Sequence, residues 1–316
     1  MPKNLDPRLQ PILDIAYAEP APEPLTVELM REGPALTEAF NTLPKANLAL
    51  DQKYDFNFGK AACRVEVFHP EPDKALPVLF YFPGTGFSVD YYEHPAAMIS
   101  QLAKRMNHIA VSVSYRLAPE HPYPAAIDDC EAVITHREAF FKANQLLVDT
   151  SRYAIAGCSS GGYIASAVIQ RLIKQAHPIL PKALQLHVPL FDFDLTKQSY
   201  RDYGDGFLLD LAATKLMCAC FLGTPPQDKS DTPEALADFD QVDQFPPTLI
   251  TYAECDPLFD DAKAYEAILN QAGVKNEMTV YHNMPHASFT LYALVPDVVE
   301  AFIDRTATFF KKALGD

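Results

Sequence analysis

Hydrophobic positions along the chain predict strands and helices in alternation. Short, nearly continuous apolar runs are typical of buried strands, and they occur at 78–82, 109–115, 153–156, 184–188, 248–252 and 278–281. Helical spacing of apolar residues recurs near 5–17, 25–41, 91–106, 124–143, 160–176, 259–272 and 297–314. Buried strands that alternate with helices indicate a mostly parallel sheet with helices on both faces, which is an α/β fold.

Two regions depart from this alternation and suggest a second structural unit. Residues 1–50 contain only helical patterns, joined by a proline-rich link. Residues 191–245 have no clear strand pattern but hold an amphipathic stretch at 208–222. We interpret 1–50 as N-terminal cap helices and 191–245 as an inserted cap, so that the core comprises 51–190 and 246–316.

The composition is that of a soluble globular protein and excludes several classes. Of the 316 residues 48% are apolar and 21% charged, and no run of about 18 apolar residues could span a membrane. A net charge of −15 argues against nucleic acids as partners. Six scattered cysteines predict neither a disulfide framework nor a metal site. No apolar leader follows Met1, so we expect a cytoplasmic protein, with export by a route other than general secretion still open.

A glycine-rich turn between a predicted strand and a predicted helix is the strongest chemical signal. Gly157-Cys158-Ser159-Ser160-Gly161 matches G-x-S-x-G, which in this context is typical of a nucleophile elbow. Its glycines permit a turn too tight for side chains, and the following helix directs free N–H groups at the central serine. The motif predicts Ser159 as a covalent nucleophile; a turn that serves only packing is the alternative.

A reactive serine needs a base, and that base needs an orienting acid. In this arrangement the acid and then the histidine follow the serine, each after a later strand. Asp256 comes after the predicted strand 248–252 and His286 after the last one. Three carboxylates compete for the role of the acid: Glu254, Asp260 and Asp261. Asp256 ranks first because it comes directly after the strand end.

Several motifs resemble one known family. Residues 114–129 (SYRLAPEHPYPAAIDD) resemble the Y-R-L-A-P-E-x-P-x-P-A-A-x-x-D block of the hormone-sensitive-lipase family of α/β-hydrolase esterases. The elbow resembles that family's G-D-S-A-G-G, residues 254–258 its acid motif, and Pro285-His286 with Phe289 its H-G-F. The similarity covers nearly the whole chain.

The resemblance implies an α/β-hydrolase fold, with an eight-stranded, mostly parallel sheet and a helical cap. It implies hydrolysis of small esters with short to medium acyl chains by the triad Ser159, Asp256 and His286. That mechanism needs no metal and no organic cofactor. The resemblance also allows for a homodimer, although no segment of the sequence points to an interface.

The loop at 82–87 (FPGTGF) departs from the family's H-G-G-G-F/W. By resemblance, the backbone N–H groups of Thr85, Gly86 and Ser160 would bind the oxyanion. A β-branched threonine resists positive φ, so the loop must be built differently if the family's glycine uses that geometry. Pro83 also replaces the imidazole that would anchor the loop. Loss of one oxyanion donor can cost about 100- to 1,000-fold in rate.

Further residues are candidates for supporting roles. Arg116, Glu120 and Asp128 are expected to form a buried polar network that braces the elbow. Five residues are candidates for lining the acyl and alcohol pockets, although aromatic side chains there equally form plain core: Phe87, Tyr91, Phe207, Leu208 and Phe289.

Two alternatives to ester hydrolysis remain open. The same apparatus serves cleavage of amides or peptides. A fold of this kind can also bind a ligand after losing turnover. Pro83 and Thr85 favour that second alternative, whereas the retained Ser159, Asp256 and His286 argue against it.

Overall fold

The computed structural model describes residues 5–20, 23–32, 35–226 and 231–315. Its eight strands are β1 Leu50–Phe56, β2 Cys63–His69, β3 Leu76–Phe82, β4 Ile109–Ser114, β5 Val148–Cys158, β6 Leu184–His187, β7 Thr248–Ala253 and β8 Asn276–Tyr281. They form one sheet in the order β1-β2-β4-β3-β5-β6-β7-β8. β2 pairs antiparallel with β1 and with β4, and the other neighbouring strands are parallel. The expected eight-stranded, mostly parallel sheet is confirmed.

The helices precede, connect and follow these strands. Their bounds are α1 Gln10–Ala16, α2 Val27–Glu32, α3 Ala35–Glu38, α4 Ala96–Met106, α5 Ala125–Thr135, α6 Arg137–Ala143, α7 Ser160–Lys174, α8 Gln198–Tyr203, α9 Leu211–Leu222, α10 Phe259–Gln271 and α11 Pro296–Leu314. The single helix expected at 124–143 is two shorter ones that divide at His136, and within the one expected at 25–41 the structure describes α2 and α3. No described helix is both long enough and apolar enough to span a bilayer.

The sheet separates two hydrophobic layers because successive side chains of a strand point to opposite faces. In β3, Phe80 and Phe82 join the layer formed with α5, α7 and α10. Leu79 and Tyr81 join the opposite layer, formed with α4 and α11. Burial on both faces explains why these strands read as continuous apolar runs rather than as alternating ones.

The region predicted as an inserted cap holds α8, α9 and short 3₁₀ turns, and its described residues include no strand. It contacts the N-terminal segment through a tyrosine. The Tyr17 hydroxyl accepts from the Leu208 N–H at 2.8 Å and lies 3.1 Å from Asp210 Oδ1. The N-terminal and inserted segments therefore meet above the sheet, while the division into cap and core at these boundaries stays a prediction.

Candidate active site

Ser159 lies in a strained turn at the carboxyl end of the central strand β5. It is the N-cap of α7, with φ +54° and ψ −121°. A non-glycine residue in that region is strained and persists only where the surroundings hold it. A Cβ on Gly157 would lie 2.2 Å from the Gly161 carbonyl oxygen, and one on Gly161 would lie 2.0 Å from the Phe82 carbonyl oxygen. The two glycines of the motif are therefore required by close backbone approach.

Three side chains form a continuous hydrogen-bonded series at this end of the sheet. His286 Nε2 lies 3.0 Å from Ser159 Oγ, and His286 Nδ1 lies 2.7 Å from Asp256 Oδ2. Asp256 is fully buried, and its Oδ1 accepts from the Leu258 N–H at 2.8 Å, which fixes the carboxylate. The series can move a proton from the serine to the imidazole, while the carboxylate holds the ring orientation.

Of the four candidate acids, Asp256 is the one whose carboxylate contacts His286. The other three have different partners: Glu254 accepts from the Asn283 N–H, Asp260 from the Ser199 N–H, and Asp261 from the Phe191 N–H and Lys197 Nζ. The structure therefore brings together Ser159, His286 and Asp256, as the sequence predicted, while their catalytic roles remain a proposal.

The loop after β3 has its left-handed positions after the threonine and not at it. Positive φ falls on Gly86 (+54°) and on Phe87 (+64°), and Thr85 is not among the positive-φ residues. Thr85 is fully buried, and its N–H donates to Ser160 Oγ at 3.1 Å. A role for the Thr85 N–H in binding an oxyanion therefore stays a prediction, since in this structure that group donates to a side chain. Gly86 and Ser160 line a cavity beside Ser159.

A buried tyrosine, Tyr115, anchors this loop, in which Pro83 takes the position of the family's imidazole. Tyr115 donates its hydroxyl proton to the Pro83 carbonyl oxygen at 2.6 Å. Thr85 Oγ1 lies 2.8 Å from the same hydroxyl, and it must be the donor because the tyrosine has only one proton to give. Tyr115 thus holds the loop at Pro83 and at Thr85, the two positions that depart from the family pattern.

Comparison with known proteins agrees with this geometry. A family model described as the α/β-hydrolase fold matches residues 79–290. Carboxylesterase NlhH of Mycobacterium tuberculosis (strain H37Rv) is 35% identical over 241 residues, which are 76% of this chain and 74% of that protein. This chain belongs to the hormone-sensitive-lipase-like family of α/β-hydrolase esterases. As a member it is a carboxylic-ester hydrolase.

A more distant relative and a solved structure agree with this assignment. Ethyl acetate hydrolase of Pseudomonas putida is 28% identical over 236 residues, covering 74% of this chain and 73% of that protein. The crystal structure of a thermostable esterase from Pseudomonas putida ECU1011 superposes with a TM-score of 0.86 at 25% identity, over 99% of both chains. The α/β-hydrolase fold expected from the sequence motifs is confirmed.

The esterase has a cavity of about 380 Å³ that opens at Ser159 and His286. Three of the five pocket candidates line it: Tyr91, Leu208 and Phe289. Phe87 lines a smaller adjoining cavity instead. Phe207 lines neither cavity; it is buried in the core and packs edge-on against Tyr203, which favours the alternative of plain core packing. Phe207 and Leu208 are neighbours in sequence but have different surroundings, because the chain turns sharply there, with Leu208 at φ +71°.

Sequence reasoning missed the N-terminal part of the cavity wall and a second histidine. Residues of the N-terminal segment line the large cavity: Met30, Thr37, Asn41 and Leu43. His187, at the carboxyl end of β6, lines it as well, and its Nδ1 lies 2.8 Å from Thr251 Oγ1. Burial, followed by the nearby charge of His286, lowers the pKa of His187 well below its usual range. His187 therefore stays neutral; its position at a strand end was the signal that could have identified it.

Arg116, Glu120 and Asp128 were expected to form one buried polar network, but each of them pairs with a different residue. Arg116 instead pairs with the fully buried Asp129, at 2.8 Å. Glu120 is exposed and pairs with Arg31 of α2 at 2.7 Å. Asp128 belongs to a separate group of salt bridges. The block between β4 and α5 is therefore braced by a partly buried ion pair, Arg116–Asp129, and tied to the N-terminal segment by the more exposed pair Glu120–Arg31.

Proposed function

We propose that the esterase hydrolyses small carboxylic esters, with short to medium acyl chains, through an acyl-enzyme formed on Ser159. The observation that carries this proposal is the series Ser159–His286–Asp256, with both contacts at hydrogen-bond distance. The strained conformation of Ser159 at the N-terminus of α7 supports it, since that position favours developing negative charge.

In the first step Ser159 Oγ forms a bond to the ester carbonyl carbon, and its proton passes to His286 Nε2. Asp256 keeps the imidazole in the required tautomer and stabilises its protonated form. As the carbon–oxygen bond to the alcohol breaks, His286 returns the proton to the leaving oxygen. A water molecule then adds to the acyl carbon with His286 as base, releasing the carboxylic acid and restoring the Ser159 hydroxyl.

The negative oxygen of the intermediate lies on the side of Ser159 formed by Gly86 and Ser160. Ser160 opens α7, where backbone N–H groups have no partner within the helix. Tyr115 holds the loop after β3, which carries Gly86, by its hydrogen bond to the Pro83 carbonyl group. Donors held in advance at the developing charge contribute most of the stabilisation of such transition states.

The test is hydrolysis of 4-nitrophenyl esters with C2 to C12 acyl chains by the wild type and by Ser159→Ala, together with fluorophosphonate labelling. We expect the wild type to turn over the shorter esters and to be labelled at Ser159, and the variant to do neither. Equal rates from both proteins would remove the proposed nucleophile. Arylamides of the same acyl groups distinguish ester from amide cleavage, and an unlabelled serine would favour the ligand-binding alternative.

A further inference from the structure

Two cavities of very different size meet at Ser159. The large one has a volume of about 380 Å³ and the small one about 20 Å³. They share four lining residues around the nucleophile: Gly86, Ser159, Leu209 and Met217. An ester has two substituents, one on each side of its reacting carbonyl group. A substrate bound at Ser159 therefore places one substituent in each cavity.

The position of His286 decides which substituent enters which cavity. His286 lines the large cavity and does not line the small one. Because His286 must deliver a proton to the leaving oxygen, the alcohol part of the ester lies on its side. The acyl group, which stays on Ser159 while the alcohol leaves, then lies in the small cavity.

The small cavity has rigid walls. Leu190, Cys218 and Leu258 are all buried, and the Leu190 N–H donates to the Ser159 carbonyl oxygen at 3.1 Å. Phe87 lines the cavity as well, and it stacks on Phe221 with the ring centroids 4.0 Å apart. A volume of about 20 Å³ accepts about one water-sized group. Close-packed interiors resist expansion, so the walls leave room for the methyl group of an acetyl ester and little more.

The large cavity suits a bulky apolar group. Apolar side chains from four separate parts of the chain line it: Met30 and Leu43, Val89 and Met98, Met217, and Phe289. We infer that the preferred substrates are acetate or similarly short acyl esters of large apolar alcohols. This inference rests on the proposed function and narrows it, because it assigns the larger group to the alcohol and not to the acid.

Constitutional isomers with the ester reversed test this assignment directly. Hexyl acetate and ethyl hexanoate have the same formula, and both rates can be followed by titration of the released acid. We expect kcat/KM for hexyl acetate to exceed that for ethyl hexanoate by about 10- to 200-fold, the range a tight apolar pocket gives for one extra methylene. With 4-nitrophenol as constant alcohol, the rate should fall steeply from acetyl to butyryl.

Two substitutions that enlarge the small cavity should relax this preference. In Leu258→Ala and in Cys218→Ala we expect the ratio of butyryl to acetyl kcat/KM to rise about 10-fold or more, as expected for a pocket gaining one methylene of space. Cys218→Ala removes a single atom from α9 and retains the test if Leu258→Ala does not fold. Met98→Ala is the matched control: it widens the large cavity and should leave the ranking of acyl chains unchanged.

The outcomes separate this inference from the proposed function. Suppose that fluorophosphonate labels Ser159 and that ethyl hexanoate is turned over as fast as hexyl acetate. This result would overturn the assignment of the cavities but keep the esterase mechanism. An unchanged acyl ranking in both enlarged variants would also overturn it. No hydrolysis of either isomer, with no labelling of Ser159, would overturn the proposed mechanism and the inference together.

Discussion

Replacing Tyr115 with phenylalanine should slow the reaction without touching the triad. The change removes one oxygen atom and keeps the aromatic packing. Two groups lose their partner, the Pro83 carbonyl at 2.6 Å and the Thr85 hydroxyl at 2.8 Å, and both lie in the loop that carries Gly86. Because Tyr115 is buried, water cannot readily take its place.

The magnitude follows from these two contacts. A buried group left without a partner costs about 1–3 kcal/mol, so for the two groups we expect Tyr115→Phe to lower the free energy of unfolding by about 2–6 kcal/mol. If the loop relaxes to recover partners, Gly86 moves away from the oxyanion. The loss of one donor sets the upper bound at about 100- to 1,000-fold, and we expect kcat to fall by about 10- to 100-fold.

The assay is kcat and KM with 4-nitrophenyl acetate, beside urea unfolding of the same samples. Tyr153→Phe is the matched control. Tyr153 is also buried, and its hydroxyl donates to the Ile179 carbonyl oxygen at 2.8 Å. It lies six residues before Ser159 along β5, or about 20 Å at 3.3 Å per residue. We expect the control to lose stability and to keep its kcat. A kcat for Tyr115→Phe within twofold of the wild type would refute the reasoning.

Three further predictions concern the triad, a buried carboxyl and the elbow. Asp256→Asn keeps the shape of the site but favours the wrong imidazole tautomer, so kcat should fall by about 10,000-fold with KM little changed. Stopped-flow ester hydrolysis measures this loss of kcat. A loss under 10-fold would contradict the role of Asp256. Burial raises the pKa of Asp261 to about 7. The folded protein therefore holds a proton that the unfolded chain releases near pH 4. Stability should fall between about pH 4 and pH 7, by at most about 1.4 kcal/mol per pH unit, and Asp261→Asn should abolish that slope in urea unfolding. Gly161→Ala forces a Cβ within 2.0 Å of the Phe82 carbonyl oxygen, so fluorophosphonate labelling and the melting temperature should both drop; normal labelling would show that the elbow adapts.

The sheet was predictable because burial of a strand on both faces leaves a signal within the few residues of that strand. Strands buried on both faces must be apolar throughout, and β3, β4 and β5 therefore stand out in the sequence. The elbow was predictable for a similar reason, since two glycines around a serine reflect a steric limit that no other residue meets. Asp256 and His286 each follow the end of a strand, so their positions along the chain were sufficient to predict that they meet at Ser159.

The cavity walls were not predictable in the same way. Met30 and Thr37 belong to short N-terminal helices whose placement depends on tertiary contacts with the inserted segment. Neighbours in sequence also diverge there: Leu208 faces the cavity, whereas Phe207 points into the core. The partners of Glu120 were missed because an exposed ion pair with Arg31 leaves no periodic signal.

The large cavity has consequences for how such an enzyme can change over evolutionary time. The proposed triad lies in loops at the ends of β5, β7 and β8, while part of the wall comes from Met30, Thr37, Asn41 and Leu43 and from residues within 208–217. Substitutions or exchanges in those two stretches would alter which alcohols are accepted and leave the proton-transfer geometry intact. Selectivity and reactivity are thus encoded in different parts of one gene, so that new substrates can be acquired without rebuilding the chemistry.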